Sequence, residues 1–379
     1  MDNPMHQAAI VGVYNTRQAR VLEGETSRSL TLDSVFGAIA DAGLKPSDID
    51  GVAGAAPGDV IHQLGGRPSW YGSGGAGASI SGVVNAALAI GAGLCETVVI
   101  AAGQAGAYRD RTATAPWTRP TNEFVECWGL FTAAEFALIA KRHMHKYGTT
   151  PDALAEVASA IRMNGAHNPA AVYYGREVTP QDVLNSRMVA DPFHLLDICM
   201  TSEGGAGMVL TTVERARDLG VKPVYILGAA LEQQGTAYTQ PPVFERFGWS
   251  GRWGGRKAFE QAHLTPQDID VCEFYDNFSF DVIRLLEAYG FCGEGEGGDF
   301  VMGGRVRIGG ELPICTDGGL MSYSHSAAAQ GMQRVIAGVL QIQGRAANQV
   351  PNVQHVLSDN FGGGALFTDQ MILGAEPMQ

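Results

Sequence analysis

The phrase Ala42-Gly-Leu-Lys-Pro-Ser-Asp-Ile-Asp50 returns 220 residues later as Ala262-His-Leu-Thr-Pro-Gln-Asp-Ile-Asp270, with six identities in nine positions. Each copy sits between a helix-patterned and a strand-patterned segment. A recurrence at that distance constrains the chain to two copies of one α/β unit, with halves at 1–220 and 221–379. Two helix-to-strand turns that arrived separately at Pro and Asp are the alternative.

Within the first half the most informative stretch is Gly72–Gly103. A glycine-rich loop leads into an uncharged, alanine-rich helix over Ser79–Ala92 and a strand over Thr97–Ala101. A helix with no polar face belongs at the centre of a domain. Its N-terminus, opening from glycines, can hold an anion, although a buried structural helix explains the same pattern. A large insertion over about 104–195 follows, rich in aromatics at its start. In it, helices capped by Thr132 and Thr150 are expected, shaping a substrate pocket or a subunit contact. The second half reads as a strand at Val271–Phe274 delivering Tyr275-Asp276-Asn277-Phe278. A helix then opens around Thr316–Ala329, and a terminal turn runs from Ser358 to Gly364.

Acidic residues outnumber basic ones by 39 to 26, for a net charge of −13, which argues against nucleic acid and anionic membrane surfaces as partners. No apolar run reaches spanning length and Met1–Gln7 lacks the build of a signal peptide, so a cytoplasmic protein without membrane insertion is expected. The six cysteines are scattered without a CxxC pair, and His143 and His145 point to different helix faces. The expectation is therefore reduced thiols and no metal site.

The loop–helix–strand of 72–103, the Tyr-Asp-Asn-Phe segment, the Gly-Gly-Leu…His segment and the terminal Asn-Phe-Gly-Gly-Gly follow the order of active-site motifs in the thiolase superfamily, which the chain resembles over nearly its whole length. The likeness is to its lipid-transfer, sterol-carrier-type branch, and within that to steroid side-chain-cleaving acyl-CoA aldolases that work beside a small OB-fold, zinc-ribbon protein. The resemblance implies a duplicated five-layer αβαβα fold. It also implies a homodimer, the OB-fold partner, and coenzyme A carried by the substrate with no other cofactor.

Departures from the family pattern direct the chemistry. The nucleophilic cysteine before the central helix is replaced by Ala76, flanked by the loop glycines Gly75 and Gly77. The second cysteine is replaced by Asn360, ahead of Gly362 and Gly363. Neither replacement can carry an acyl thioester. What remains is acid–base and oxyanion chemistry. His325 takes the family's Gly-His-Pro position, with Ser324 and Ser326 as neighbours, and Tyr275 takes the adjoining oxyanion position. Tyr275, His325 and Asn360 are the expected catalytic residues, with Tyr238, Tyr323 and Asp276 as further candidates. Arg109, Arg111 and Arg256 are the basic residues in loops where CoA phosphates could bind.

With these departures, the resemblance implies a retro-aldol lyase that splits a β-hydroxyacyl-CoA without a covalent intermediate, and it is the resemblance that suggests a steroid-type side chain. A non-catalytic acyl-CoA-binding or scaffold subunit, and an acyl-CoA acyltransferase, are the alternatives. A polar pocket argues against the scaffold.

Overall fold

The computed structural model describes residues 3–72, 79–106, 132–235, 245, 250–327, 329–362 and 367–378. In chain order, the first half contributes β1 (Ala8–Asn15), α1 (Ser27–Asp41), β2 (Gly51–Gly54), α2 (Pro57–Leu64), β3 (Trp70–Tyr71), α3 (Ile80–Gly91) and β4 (Thr97–Gln104). The insertion supplies α4 (Ala133–Tyr147), α5 (Pro151–Ala166), α6 (Pro180–Asn185), β5 (Met188–Ala190) and β6 (Phe193–His194). Then come β7 (Gly204–Thr212), α7 (Val213–Asp218), β8 (Val224–Gln233), α8 (Arg252–Ala262), β9 (Val271–Glu273), α9 (Ser279–Tyr289), α10 (Gly297–Phe300), α11 (Gln330–Gln343), β10 (His355–Gly362) and β11 (Phe367–Gly374).

Among the described residues, nine strands form one sheet in the order β3-β2-β4-β7-β1-β8-β11-β10-β9. From the β1–β8 seam outward the two halves read alike. An antiparallel neighbour comes first (β7, β11), then a second antiparallel pairing (β4, β10), then a parallel one (β2, β9). The seam itself has two register pairs, Ala9 with Tyr225 and Ile10 with Val224.

The repeated nine-residue phrase does the same work in both halves. Pro46–Asp48 and Pro266–Asp268 each form a single 3-10 turn closed by the aspartate, whose carboxylate accepts from Lys45 N (2.8 Å) or Thr265 N (2.7 Å). Ile49 and Ile269 are buried. Asp50 then accepts from Glu96 N and Thr97 N at the start of β4, and Asp270 from Gln354 N and His355 N at the start of β10. Each phrase thus ties the start of one strand to the start of its parallel neighbour. The helix ahead of each copy packs on the sheet at a glycine: a methyl added at Gly12 would lie 2.4 Å from the Ala38 carbonyl oxygen of α1, and one at Gly228 would lie 2.1 Å from that of Ala258 in α8. Only glycine lets α1 and α8 approach their strands this closely.

Alternation along the strands gives two cores. Ala9, Val11, Val99, Ala101 and Val209 face α1, α4, α5 and α9. Ala8, Ile10, Val98, Ile100 and Met208 face α3 and α11, through Val83, Ala87, Met332 and Val335. α3 and α11 pack on each other and touch strands of both halves, forming the middle layer of the expected duplicated α/β arrangement.

Three local expectations need correction. Thr150 caps α5 by accepting from Ala153 N, but Thr132 has φ 45° and makes no side-chain cap for α4. The Thr316 segment does not open a helix: Gly319–Tyr323 forms a π-turn, His325 lies in the stretch after it, and α11 begins at Gln330. Asn360 is no turn residue but part of β10, paired with Asp369, because β11 continues the ladder to Gly362. No helix among the described residues is long and apolar enough to cross a membrane.

The close helix–strand contacts carry a test. Gly12→Ala and Gly228→Ala should each lower the urea unfolding free energy by about 1–3 kcal/mol through overpacking. An unchanged denaturation midpoint in both would contradict the packing described.

Candidate active site

After β9 the chain turns through Phe274–Asn277 into α9, and every residue from Val271 to Tyr289 is buried. This turn aims Tyr275 and Asp276 in different directions. The Tyr275 main-chain N–H donates to Asp359 Oδ1 (2.6 Å), whose other oxygen accepts from the Tyr289 hydroxyl (2.9 Å). Burial pushes the Asp359 carboxyl up to about 7. Phe361 packs edge-on against the Tyr275 ring, with centroids 5.4 Å apart. The Arg284 guanidinium lies 4.9 Å over the Phe361 ring. Strand β10 therefore holds the tyrosine by a backbone bond at residue 359 and a ring contact at residue 361.

Asp276 turns away from that pair. Its carboxylate accepts from Leu320 N (2.7 Å) and Met321 N (3.0 Å), closing the π-turn that precedes His325. Gly319, at φ 56°, has no room for a side chain, because an added methyl would sit 2.3 Å from an Asp276 oxygen. Burial pushes the Asp276 carboxyl up to about 6, against the pull of Arg334. Arg334, fully buried on α11, grips Asp317 with two bonds (2.9 and 2.8 Å) and anchors the turn from the other side.

The π-turn delivers His325. Its main-chain N–H donates to Ser202 Oγ (2.7 Å), and Ser202 and Ser324 hydroxyls bond each other at 2.9 Å. The ring Nδ1 lies 2.7 Å from the Met200 carbonyl oxygen. A carbonyl can only accept, so Nδ1 carries the proton and, in the neutral ring, Nε2 is the acceptor. Burial lowers the pKa of His325 to about 4, so the ring is neutral at neutral pH. Nε2 faces the Tyr275 hydroxyl oxygen at 3.4 Å, the two ring planes crossing at 88°. The same oxygen accepts from Gln330 Nε2 at 2.6 Å. With its lone pair engaged by an amide donor, the tyrosine hydroxyl has Nε2 as an outlet for its proton.

Of the residues singled out from sequence, Tyr275 and His325 come together. Asn360 lies nearby: its side chain packs against Gly331, where an added methyl would be 2.8 Å from the Asn360 Cγ, next to Gln330 at the start of α11. Tyr323 does not join them. Buried, with its hydroxyl pKa raised by that burial, it lines a separate cavity of about 180 Å³ with Asn15, Asn168 and Asp317. Gly362 ends β10, opposite Phe367. Ala76, Gly75, Gly77, Gly363, Tyr238, Arg109 and Arg111 lie outside the described residues. Arg256 is on the exposed face of α8, 3.6 Å from Glu260.

Sequence reasoning missed Gln330, Met200, Ser202 and Cys199. The Cys199 thiol lies 3.3 Å from His325 Nδ1. Burial raises its pKa well above the ordinary thiol value, and it sits behind the histidine, on the side away from Tyr275, so it is no thiolate nucleophile. A backbone carbonyl has no residue signature, which hid Met200. Gln330 stands in a run of small residues after His325 and carries no motif of its own.

Residues 248–375 match the thiolase C-terminal domain-like family. The 17-hydroxy-3-oxo-4-pregnene-20-carboxyl-CoA lyase of Mycobacterium tuberculosis is 35% identical over 97% of this chain and 99% of its own length. A steroid side-chain-cleaving aldolase of Thermomonospora curvata is 36% identical, covering 97% and 98%. Among solved structures, one described as Ltp2-ChsH2(DUF35) aldolase superposes with a TM-score of 0.85 at 33% identity, over 97% of this chain and 98% of that one. With relatives this similar along almost its full length, the chain belongs to the thiolase superfamily, in its branch of steroid side-chain-cleaving aldolases.

Proposed function

We propose that this protein is an acyl-CoA aldolase, a carbon–carbon lyase that splits a β-hydroxyacyl-CoA with a steroid-type body into a ketone or aldehyde and a shorter acyl-CoA. The observation that carries the mechanism is the Tyr275 oxygen 3.4 Å from a histidine nitrogen whose partner nitrogen is committed to the Met200 carbonyl. The substrate side follows from the relatives, which are named for steroid side-chain cleavage and for a CoA-ester lyase.

The substrate's β-hydroxyl gives its proton to the Tyr275 oxygen as the tyrosine passes its own to His325 Nε2. The C–O bond becomes a carbonyl, the Cα–Cβ bond breaks, and its electron pair moves into the thioester as an enolate. The imidazolium formed keeps its Nδ1–H on Met200, and returning the proton through Tyr275 to Cα completes the shorter acyl-CoA. His325 therefore acts first as an acceptor through Nε2. It gains an Nε2–H to offer the enolate only after the first transfer. Asn360 is assigned to orient the substrate beside the pair. The thioester is the electron sink, so coenzyme A enters as part of the substrate and the scheme requires no resident metal or cofactor.

The proposal includes a homodimer and a small OB-fold, zinc-ribbon partner. Support for a partner is that the similar solved structure carries two named components, Ltp2 and ChsH2(DUF35).

Three outcomes are expected. Tyr275→Phe should reduce kcat by about 10²–10⁴-fold while KM stays within a few-fold, the usual worth of a positioned acid–base group. Gln330→Ala should reduce kcat about tenfold, the equivalent of ~1.4 kcal/mol from one hydrogen bond. A fully active Tyr275→Phe enzyme, assayed with its partner present, would rule out this aldol mechanism. The protein quenched during turnover should show its unmodified mass, and an acylated chain would point to covalent catalysis instead.

The pH dependence follows from the lowered pKa of His325. A lowered pKa means that the neutral, proton-accepting ring persists as pH falls, until about 4. An ordinary histidine with a pKa near ~6.5 would be about nine-tenths protonated at pH 5.5. The acid limb of kcat/KM should accordingly lie below pH 5.5. A limb centred near 6.5 and abolished by His325→Asn would contradict the buried, neutral histidine.

A further inference from the structure

The Tyr275–His325 set accepts a proton but leaves one demand of an aldol cleavage unmet. Negative charge develops on the thioester oxygen as the C–C bond breaks, and a donor already in place there lowers the barrier. His325 has none to offer at the outset, because its Nδ1–H is held by Met200 and its Nε2 is the acceptor. Beside the pair, Asn360 and Asp369 face each other across the β10–β11 ladder. Directly opposed residues share one face of a sheet, with Cβ atoms about 4.5–5.5 Å apart. That face is covered by α3 and α11: Asn360 lies against Gly331, and Val356 and Leu373, further along it, lie against Gly338.

Asn360 is 7% and Asp369 8% exposed, yet neither side chain makes a hydrogen bond or ion pair among the described residues. Their polar atoms still open onto free space. Buried carboxylates nearby differ. Asp359 and Asp276 each accept two hydrogen bonds, Glu273 is bonded by Thr316, and Asp281 lies 3.9 Å from Arg284. No cation among the described residues pairs with Asp369. Helix α3 carries no charged residue, and Arg334, the one charged residue of α11, is spent on Asp317. Burial, and after it the charge of Asp359 on the neighbouring strand, push the Asp369 carboxyl up to about 7. About half of it therefore carries a proton at neutral pH.

We propose that Asn360 and Asp369 form an oxyanion hole, in which the Asn360 amide N–H and the Asp369 carboxyl O–H converge on the thioester oxygen and hold the enolate as the C–C bond breaks. Two donors each about 2.8 Å from one oxygen stand at most about 5.6 Å apart, which the cross-strand spacing provides. A carboxylic acid kept neutral by apolar surroundings donates to an enolate oxygen much as a tyrosine hydroxyl does. The acid keeps its proton throughout, so the bonds broken and formed are those of the aldol cleavage itself, and Cα still receives its proton through Tyr275. This assignment rests on the aldolase reading and adds Asp369 to its catalytic residues.

The test uses the full chain with its partner and, as probe, 17-hydroxy-3-oxo-4-pregnene-20-carboxyl-CoA, the ester for which the Mycobacterium tuberculosis relative is named. Asp369→Ala should lower kcat about 10²–10³-fold with KM within a few-fold, the worth of one oxyanion donor. Asp369→Asn, which keeps an N–H donor, should retain at least about a tenth of the wild-type kcat. Ionisation ends the donation, so wild-type kcat should fall as pH rises through about 7, and Asp369→Asn should lack that limb. Neither substitution should lower the thermal midpoint, because each removes a buried carboxyl that has no partner. Given cleavage by the wild type, this assignment alone is overturned by a fully active Asp369→Ala, by the same basic limb in Asp369→Asn, or by a midpoint several degrees lower in both variants. A wild-type complex that leaves the ester intact overturns the aldolase reading, and this assignment with it.

Discussion

The hydrogen bond between His325 Nδ1 and the Met200 carbonyl, at 2.7 Å, decides what this site can do. It fixes which nitrogen carries the proton and thereby leaves Nε2 as a base in front of Tyr275. Burial reinforces the choice by holding the ring's pKa near 4, so that the charged form appears only when a proton arrives from the tyrosine. Gln330 completes the arrangement from the other side, because its amide can donate to the tyrosine oxygen but cannot take the tyrosine's proton as a base. Polarity therefore runs one way through the set, from substrate to Tyr275 to His325.

The position of this set is maintained by charge buried around it. Asp359 holds the Tyr275 main chain, Asp276 closes the π-turn ahead of His325, and Arg334 clamps Asp317 at the start of that turn. Burial raises the pKa of Asp276 and Asp359, so the protein forgoes stability by keeping these groups where they are. Removing one partner of such a buried group costs more than the pair contributes, which makes the scaffold sensitive at positions that never touch substrate. The insertion helix α5 takes part as well. Its Arg162 reaches the Met321 carbonyl inside the π-turn and the Ile198 carbonyl close to Met200, linking the insertion to both segments that hold the histidine.

Much of the architecture was legible because it repeats. The Pro-x-Asp turn and the final Asp of each nine-residue phrase have chemical jobs that fix their identity, so they recur in both halves and mark the duplication. The Tyr275–His325 pair was legible through motif order, and the missing sulfur nucleophiles through Ala76 and Asn360. The remainder was hidden for physical reasons. The end of β10 read as a turn because Asn360 and its glycines have turn chemistry, but pairing with β11 overrides that preference. The π-turn read as a helix start because its strain is offset by Asp276, 43 residues before Gly319 in sequence. Met200 acts through its backbone, and Cys199 and Gln330 acquire meaning only when three distant segments meet.

The protonation state of His325 is the point on which the mechanism turns, and it can be read directly. With histidine ring nitrogens labelled with ¹⁵N, and the His325 signals assigned by their loss in His325→Asn, long-range proton–nitrogen correlation at pH 6 distinguishes the three forms of the ring. The mechanism predicts a neutral ring with the proton on Nδ1 and a bare Nε2. A doubly protonated ring, or a proton resident on Nε2, would contradict it.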